Sequence, residues 1–241
     1  MSTIVPLPRT SGEASLAQTA IEAVTHYIRE HKLRVGDTLP GEAHFAATLG
    51  VSRAVMREAF GALAALRLLD VGNGRKPRVG AIDGSVIAAS LSHAVTTAQV
   101  TVPEVWDVRR TIEQRTAALA AEARTDAEAA EIVALAEAMA KDSDDLEART
   151  AHDIAFHNAI ARASHNILFV QIVASFGPLM EVAVPTAWRT RTTAKQRKVM
   201  IERHRAVARA IQARDPSAAA AAMAAHFDDS VGDLLKAQAQ Q

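Results

Sequence analysis

The sequence predicts a mainly α-helical protein, with an N-terminal winged helix-turn-helix followed by a C-terminal antiparallel helical bundle. Alanine-rich amphipathic segments dominate after residue 83, which favours helices there. Short strand candidates occur only at 68–71 and 78–81, on either side of a turn-rich stretch typical of a small hairpin. The 241 residues are enough for two modest cores. We therefore expect a winged helix-turn-helix over 1–82, a linker over 83–98 and an all-helical domain over 99–241.

Composition limits the chemistry and the location of the chain. There is no cysteine, so a bound metal would need histidine and carboxylate ligands, and nine histidines make that possible. No run of eighteen apolar residues occurs, and the N-terminus lacks a basic segment followed by an apolar one. We therefore expect a cytoplasmic protein with no membrane partner. The net charge is zero, but residues 1–82 hold ten Lys and Arg against seven Asp and Glu, so a mildly basic head precedes an acidic body.

Local signals give the elements of the head in order. Helical spacing of apolar residues predicts a helix over 16–31. A short helix over 41–49 then ends at Gly50, and Ser52 caps a longer helix that reaches Leu66. Helix, glycine turn, capped helix and hairpin together predict a winged helix-turn-helix.

The second helix of such a unit enters the major groove of DNA with its N-terminal residues. Arg53 and Arg57 lie one turn apart there, and each can donate two hydrogen bonds to a guanine edge or hold a phosphate. Cations of the hairpin would reach the adjacent backbone or minor groove. The alternative is a solvated helix face and a charged turn without a partner. The candidate DNA-binding residues are Ser52, Arg53, Arg57, Asn73, Gly74, Arg75 and Lys76.

The body begins with a helix that carries an arginine beside its apolar stripe. Thr101 and Glu104 form a capping-box pattern that opens a helix through residue 123, with Val108 among the residues placed on the apolar stripe. Arg109 borders that stripe, so its guanidinium can face the interior. A buried arginine needs an anion, which is either an internal carboxylate or a bound one; position alone leaves both open.

Three later helical stripes carry inward histidines. Asp153 and His157 lie four residues apart on one face of a helix over 146–163, where a carboxylate and an imidazole can hold one metal ion. His204 lies inside a second stripe, and His226 flanks a third. Three imidazoles and a carboxylate would leave positions open for water or a ligand. The alternative is that they are core histidines with ordinary hydrogen-bond partners.

The head resembles the DNA-binding domain of GntR-type regulators, whose usual pattern is Leu-Pro-x-Glu, then Gly-Val-Ser-Arg, then Arg-Glu-Ala and a glycine-containing wing. Residues 39–80 read LPGEAHFAATLGVSRAVMREAFGALAALRLLDVGNGRKPRVG. Many members carry arginine where this sequence has Ala43, so one DNA contact available to them is absent here. The residues that fit the pattern are Leu39, Pro40, Glu42, Gly50, Val51, Ser52, Arg53, Arg57, Glu58, Ala59, Leu63, Leu66 and Gly74.

The body resembles the FCD ligand-binding domain of the FadR-like branch of that family. The matching elements are Val-Arg-x-x-Ile-Glu at 108–113, Asp-x-x-Phe-His at 153–157, and the later His204 and His226. The resemblance implies that Asp153, His157, His204 and His226 bind a divalent metal, zinc with nickel or manganese as alternatives. It also implies that Arg109 meets the carboxylate of a small organic acid. The fatty-acyl-CoA branch, which lacks this set, is a poor match.

The resulting hypothesis is a homodimeric regulator that binds a pseudo-palindromic operator on double-stranded DNA. Most regulators of this type are repressors, so we expect a repressor. Two rivals are a metal-dependent enzyme acting on a small carboxylate and an architectural DNA-binding protein with structural histidines. No nucleophile motif or paired carboxylates stand beside the metal-ligand candidates, and an enzyme would leave the DNA-binding head unexplained. We therefore expect no catalytic residues.

Overall fold

A computed structural model describes residues 15–72, 74–141 and 145–238. The chain divides into two compact units, one ending at Val86 and one beginning at Ile87. The described residues form eleven helices and one two-stranded sheet, which confirms the mainly α-helical class. The elements are α1 Leu16–Glu30, α2 Glu42–Leu49, α3 Arg53–Ala65, β1 Leu69–Asp70, β2 Arg78–Val79, α4 Ser85–Thr96, α5 Val102–Ala123, α6 Asp126–Lys141, α7 Leu146–Ala163, α8 Ile167–Ser175, α9 Gly177–Arg189, α10 Ala194–Gln212 and α11 Pro216–Gln238.

In the N-terminal unit, α1, α2 and α3 enclose one apolar core that includes Phe45 and Leu63, both fully buried. The α2 to α3 turn forms as its residues predict. Gly50 ends α2 in the left-handed region at φ 66°, which a glycine adopts without steric cost. The Ser52 side chain then accepts a hydrogen bond from the Val55 backbone N–H and so starts α3.

The hairpin has shorter strands than the sequence indicates. Leu69 pairs with Val79 in antiparallel register, and the ladder ends with the hydrogen bond that the Gly80 N–H donates to the Leu68 carbonyl. At Gly80 the two chain segments approach so closely that a Cβ atom would lie 2.1 Å from the Arg67 carbonyl oxygen. The predicted strands over 68–71 and 78–81 are therefore longer than the observed ones, Leu69–Asp70 and Arg78–Val79.

In the C-terminal unit, α5 packs against α7 and α11, and α10 packs against α6 and α11. The Thr101 and Glu104 capping box is present at the start of α5. The core includes Phe156, Ile160 and Phe227, whose side chains are almost completely buried. This packing brings α5, α7, α10 and α11 together around one interior region.

The apolar stripe proposed for α5 is wrong at Val108 but not along its whole length, since Val105 is buried and Ile112 packs against the core. Val108 is 51% exposed, whereas Trp106, Arg109 and Glu113 are buried together with Val105. Apolar spacing misplaced Val108 because the buried face of the helix carries the ion pair of Arg109 and Glu113 as well as apolar residues. Arg109 therefore lies on the interior face itself, four residues before Glu113.

α8 and α9 together form a long apolar stretch of the C-terminal unit. Within the described residues, no single helix is long and apolar enough to cross a membrane; α8 and α9 meet that criterion only as a pair, bent by 54°. α9 carries Pro185 inside the helix.

Candidate metal centre and nucleic-acid interface

Three helices of the C-terminal unit bring three histidines together. His157 lies on α7, His204 on α10 and His226 on α11, and each is at most 5% exposed. One ring nitrogen of each lies within 4.8 Å of those of the other two. The ring centroids of His204 and His226 are 4.4 Å apart. The structure thus places side by side the three imidazoles that the sequence singled out.

Asp153 joins this cluster through His204. The His204 Nδ1 lies 3.0 Å from the Met200 carbonyl oxygen, and since a carbonyl only accepts, Nδ1 carries the proton. The other ring nitrogen, Nε2, lies 3.0 Å from Asp153 Oδ1. Burial opposes ionisation of Asp153, but the hydrogen bond with His204 and the three nearby imidazoles hold the pKa of this carboxyl below its ordinary value. A carboxylate oxygen facing Nε2 needs a proton or a cation between the two atoms.

His157 is oriented by a residue that the sequence analysis gave no role. Its Nδ1 contacts the Glu113 carboxylate on α5. Burial would raise the pKa of Glu113, but the charges of Arg109 and His157 lower it, so the carboxylate is ionised and Nδ1 donates. The Nε2 atom of His157 is left facing Asp153, with 4.0 Å to Oδ2. A carboxylate that fixes the far nitrogen of a histidine is the usual outer partner of a metal ligand.

His226 supplies the clearest sign that the cluster fits a metal. Its Nδ1 is buried and has no hydrogen-bond partner. Burial, and then the charges of His204 and His157, lower the pKa of His226 well below its ordinary value, so its ring is neutral. Imidazole nitrogens and a carboxylate are ligands that zinc, nickel and manganese accept. The donor set therefore suits a divalent cation.

Arg109 has an internal partner and also reaches the cavity beside the histidines. Its Nε donates to Glu113 Oε1 over 2.8 Å, and both side chains are almost fully buried. Its Nη1 contacts the Met180 sulfur, and its guanidinium lies 5.1 Å from the ring centroids of Trp106 and Phe227. The sequence left open whether Arg109 pairs with an internal carboxylate or with a bound one. The structure shows an internal partner, the Glu113 carboxylate.

A cavity opens between the histidine cluster and α9. Trp106 and Arg109 line one side of it, and Arg191, which follows α9, is a further lining residue. Arg191 is 5% exposed. Arginine and indole N–H groups make this wall rich in hydrogen-bond donors.

Glu113 and Trp106 are the site residues that sequence reasoning missed. Both stand on α5 within one turn of Arg109, and the spacing of four between Arg109 and Glu113 is that of a helical ion pair. That spacing was a usable signal for Glu113. Nothing in the sequence shows that the Trp106 side chain lines a cavity.

On the N-terminal unit, the first two turns of α3 present the expected cations. Ser52, Arg53 and Arg57 are all exposed. Arg57 has a long ion pair of 3.9 Å with Glu42, and its side chain remains 77% exposed. Such a pair contributes little in water and leaves the guanidinium able to bind DNA.

The structure describes three of the four candidate DNA-binding residues in the hairpin turn. Asn73 lies outside the described residues. Gly74 has φ 72°, and Arg75 and Lys76 are exposed. Arg75 donates to Asp70 over 3.4 Å, also at the surface. The described cations of this turn therefore face solvent in the N-terminal unit.

Two family models match the two units. Residues 104–229 match the FCD domain, and residues 16–79 match the family described as bacterial regulatory proteins, gntR family. The chain belongs to the GntR family. This confirms the resemblance noted from the sequence, and it covers both the DNA-binding head and the helical body.

Relatives of this GntR-family chain are transcriptional regulators. The HTH-type transcriptional regulator LutR of Bacillus subtilis is 30% identical over 86% of this chain and 95% of the relative. The Glc operon transcriptional activator of Escherichia coli is 30% identical over 79% of this chain and 77% of the relative. The HTH-type transcriptional repressor NanR of Salmonella newport is 26% identical over 88% and 83%.

A solved structure supports the fold of this GntR-family chain. A Streptococcus agalactiae GntR protein matches with a TM-score of 0.61 and 23% identity over 88% of this chain and 97% of that one. The protein is thus a transcriptional regulator with an FCD effector-binding domain. Its relatives are named as transcriptional regulators and not as enzymes.

Proposed function

We propose that this regulator binds a pseudo-palindromic operator as a homodimer and that a small carboxylate, held at a metal site in its C-terminal unit, controls its affinity for that operator. One observation carries the proposal: the FCD domain contains a buried cluster of three histidines with a carboxylate and an arginine beside it. These residues are His157, His204, His226, Asp153 and Arg109.

The metal part of the proposal rests on how this chain orients its own donors. Asp153, His157, His204 and His226 would hold the ion, zinc with nickel or manganese as alternatives. The Glu113 carboxylate and the Met200 carbonyl fix the Nδ1 protons of His157 and His204, which leaves Nε2 of each ring as the donor atom. A bound divalent ion would supply a Lewis-acidic position for an oxygen of the acid.

The carboxylate part rests on Arg109. Its Nε is held by Glu113, so the guanidinium is fixed in orientation, and Arg109 also lines the cavity. A planar guanidinium presents several N–H groups in one plane, and a carboxylate is the ligand that matches them. We infer that Arg109 contacts the carboxylate of the effector while keeping its internal ion pair.

Control of DNA binding follows from the geometry of a dimer. Two recognition helices must reach half-sites about one helical turn of DNA apart, so a small ligand-driven rotation of the domains changes operator affinity. We propose that the protein represses transcription and that the acid relieves this repression. We also propose that it acts in the cytoplasm, where such a regulator binds its DNA. The relatives include one named a repressor and one named an activator.

The Arg57→Ala variant tests the DNA-binding part. We expect it to bind operator roughly 10 to 100 times more weakly than wild type, since an arginine contact to a base edge contributes about 1–3 kcal/mol. The operator is first selected from a random pool of duplexes with the wild-type protein, and binding is then measured by fluorescence anisotropy. Arg115→Ala, at an exposed arginine of the C-terminal unit, is the matched control and should bind normally. Equal affinity of Arg57→Ala and wild type would contradict the assignment of α3.

A further inference from the structure

The indole N–H of Trp106 is a buried donor without an acceptor. Trp106 is 4% exposed, and its Nε1 has no hydrogen-bond partner. Buried tryptophan N–H groups usually find an acceptor, because leaving one unpaired costs the desolvation of the group. Trp106 lines the same cavity as Arg109 and the histidine cluster. A ligand in that cavity could therefore supply the acceptor that the Trp106 N–H lacks.

The neighbouring groups indicate what kind of acceptor fits. The Arg109 guanidinium lies 5.1 Å from the Trp106 ring centroid, so a ligand oxygen beside Arg109 is also near the indole. Asp153, the carboxylate that lines this cavity, is already bonded with His204. The Ser230 hydroxyl donates to the His226 carbonyl. The wall near Trp106 thus offers donors, and the matching ligand is rich in acceptor oxygens.

We propose that the Trp106 indole N–H donates directly to an oxygen of the acid whose carboxylate Arg109 holds, and so makes Trp106 a specificity-determining residue of the effector cavity. This inference rests on the proposed function, because it assumes that an acid enters the cavity. The inference goes beyond the proposed function because it assigns a neutral, directional hydrogen bond from Trp106. That bond selects ligands with an acceptor oxygen at one position. A ligand with an amine or a methyl group at that position leaves the indole unpaired and binds less well.

The chain offers a matched control for the test, since it has two tryptophans, Trp106 and Trp188. Trp188 is also buried, but it packs under the Arg149 guanidinium at 3.5 Å. Trp106→Phe removes the N–H and keeps an aromatic ring, and Trp188→Phe makes the same chemical change elsewhere. The probes are acetate, L-lactate, malonate, succinate and D-gluconate, and their affinities are measured by calorimetry on the full-length protein.

We expect the tightest-binding of these acids to bind Trp106→Phe about 10 to 100 times more weakly than wild type, and Trp188→Phe close to normally. In wild type labelled at the indole nitrogens, the same acid should shift the Trp106 N–H resonance, which the Trp188→Phe spectrum assigns. An unchanged affinity in folded Trp106→Phe, or an unmoved Trp106 resonance, overturns this inference and leaves the proposed function standing. If none of the five acids binds wild type, the proposed function fails, and the inference fails with it.

Discussion

The His204→Ala variant is expected to purify without bound metal, and the wild-type protein is expected to carry about one divalent ion per chain. His204 presents Nε2 to the cluster because its Nδ1 proton is committed to the Met200 carbonyl, and that same Nε2 faces Asp153. Alanine removes this donor and leaves three. We expect a loss of affinity greater than the roughly 10 to 100-fold caused by mutating an outer partner. His157→Ala should behave in the same way, and elemental analysis of untagged protein measures both.

The control for this measurement is His165→Ala. His165 lies outside the cluster, is about half exposed and pairs with Glu128. It should retain the full metal content. Far-UV circular dichroism of each variant checks that the helical content is unchanged. Wild-type protein that holds no metal after incubation with zinc, nickel and manganese would remove the metal from the proposed function and leave the DNA-binding role intact.

The Glu113→Gln variant is expected to lose roughly 3–5 kcal/mol of the free energy of unfolding of the C-terminal unit, because Arg109 is left as a buried charge without its counter-ion. The Glu113 carboxylate accepts from both Arg109 and His157. A neutral amide oxygen has no charge with which to compensate Arg109. The same change should weaken metal binding about 10 to 100-fold, since His157 loses its orienting carboxylate. Urea titration and competition with a chelator measure the two effects.

A double-mutant cycle separates the ion pair from a general packing defect. Arg109→Met alone should also be strongly destabilising, because it leaves the Glu113 carboxylate with His157 as its remaining partner. The double variant should cost clearly less than the sum of the two single variants, since it buries neither charge alone. Additive costs would show that the two side chains are not coupled and would contradict the ion pair as the reason for burying Glu113.

The head was largely predictable from sequence because its signals are local. Gly50 and Ser52 set the end of α2 and the start of α3 within three residues of each other, and both act through their own backbone conformation or hydrogen bond. The strand lengths were not predictable in this way. They depend on which residues pair across the turn, and here the pairs are Leu69 with Val79 and Asp70 with Arg78.

In the body, the histidine positions could be read from helical periodicity, but their partners could not. Glu113 contacts His157 across 44 residues of sequence, and His204 contacts Asp153 across 51. Such pairs depend on the packing of α5, α7 and α10, which apolar spacing does not specify. Val108 was wrongly placed on the buried face of α5 for a related reason, since Arg109 and Glu113 are buried where a pattern of apolar residues was sought.

The most direct test of acid-controlled DNA binding is whether an acid bound in the C-terminal unit changes the affinity of the N-terminal unit for DNA. Operator binding of wild type and of Arg109→Met is measured by anisotropy, with and without an acid that calorimetry shows to bind the wild-type protein. We predict that the acid changes the operator Kd of wild type by about 5 to 150-fold, the usual range of allosteric coupling, and leaves that of folded Arg109→Met unchanged. An acid that binds wild type and leaves its operator affinity unaltered would contradict control of DNA binding by the acid.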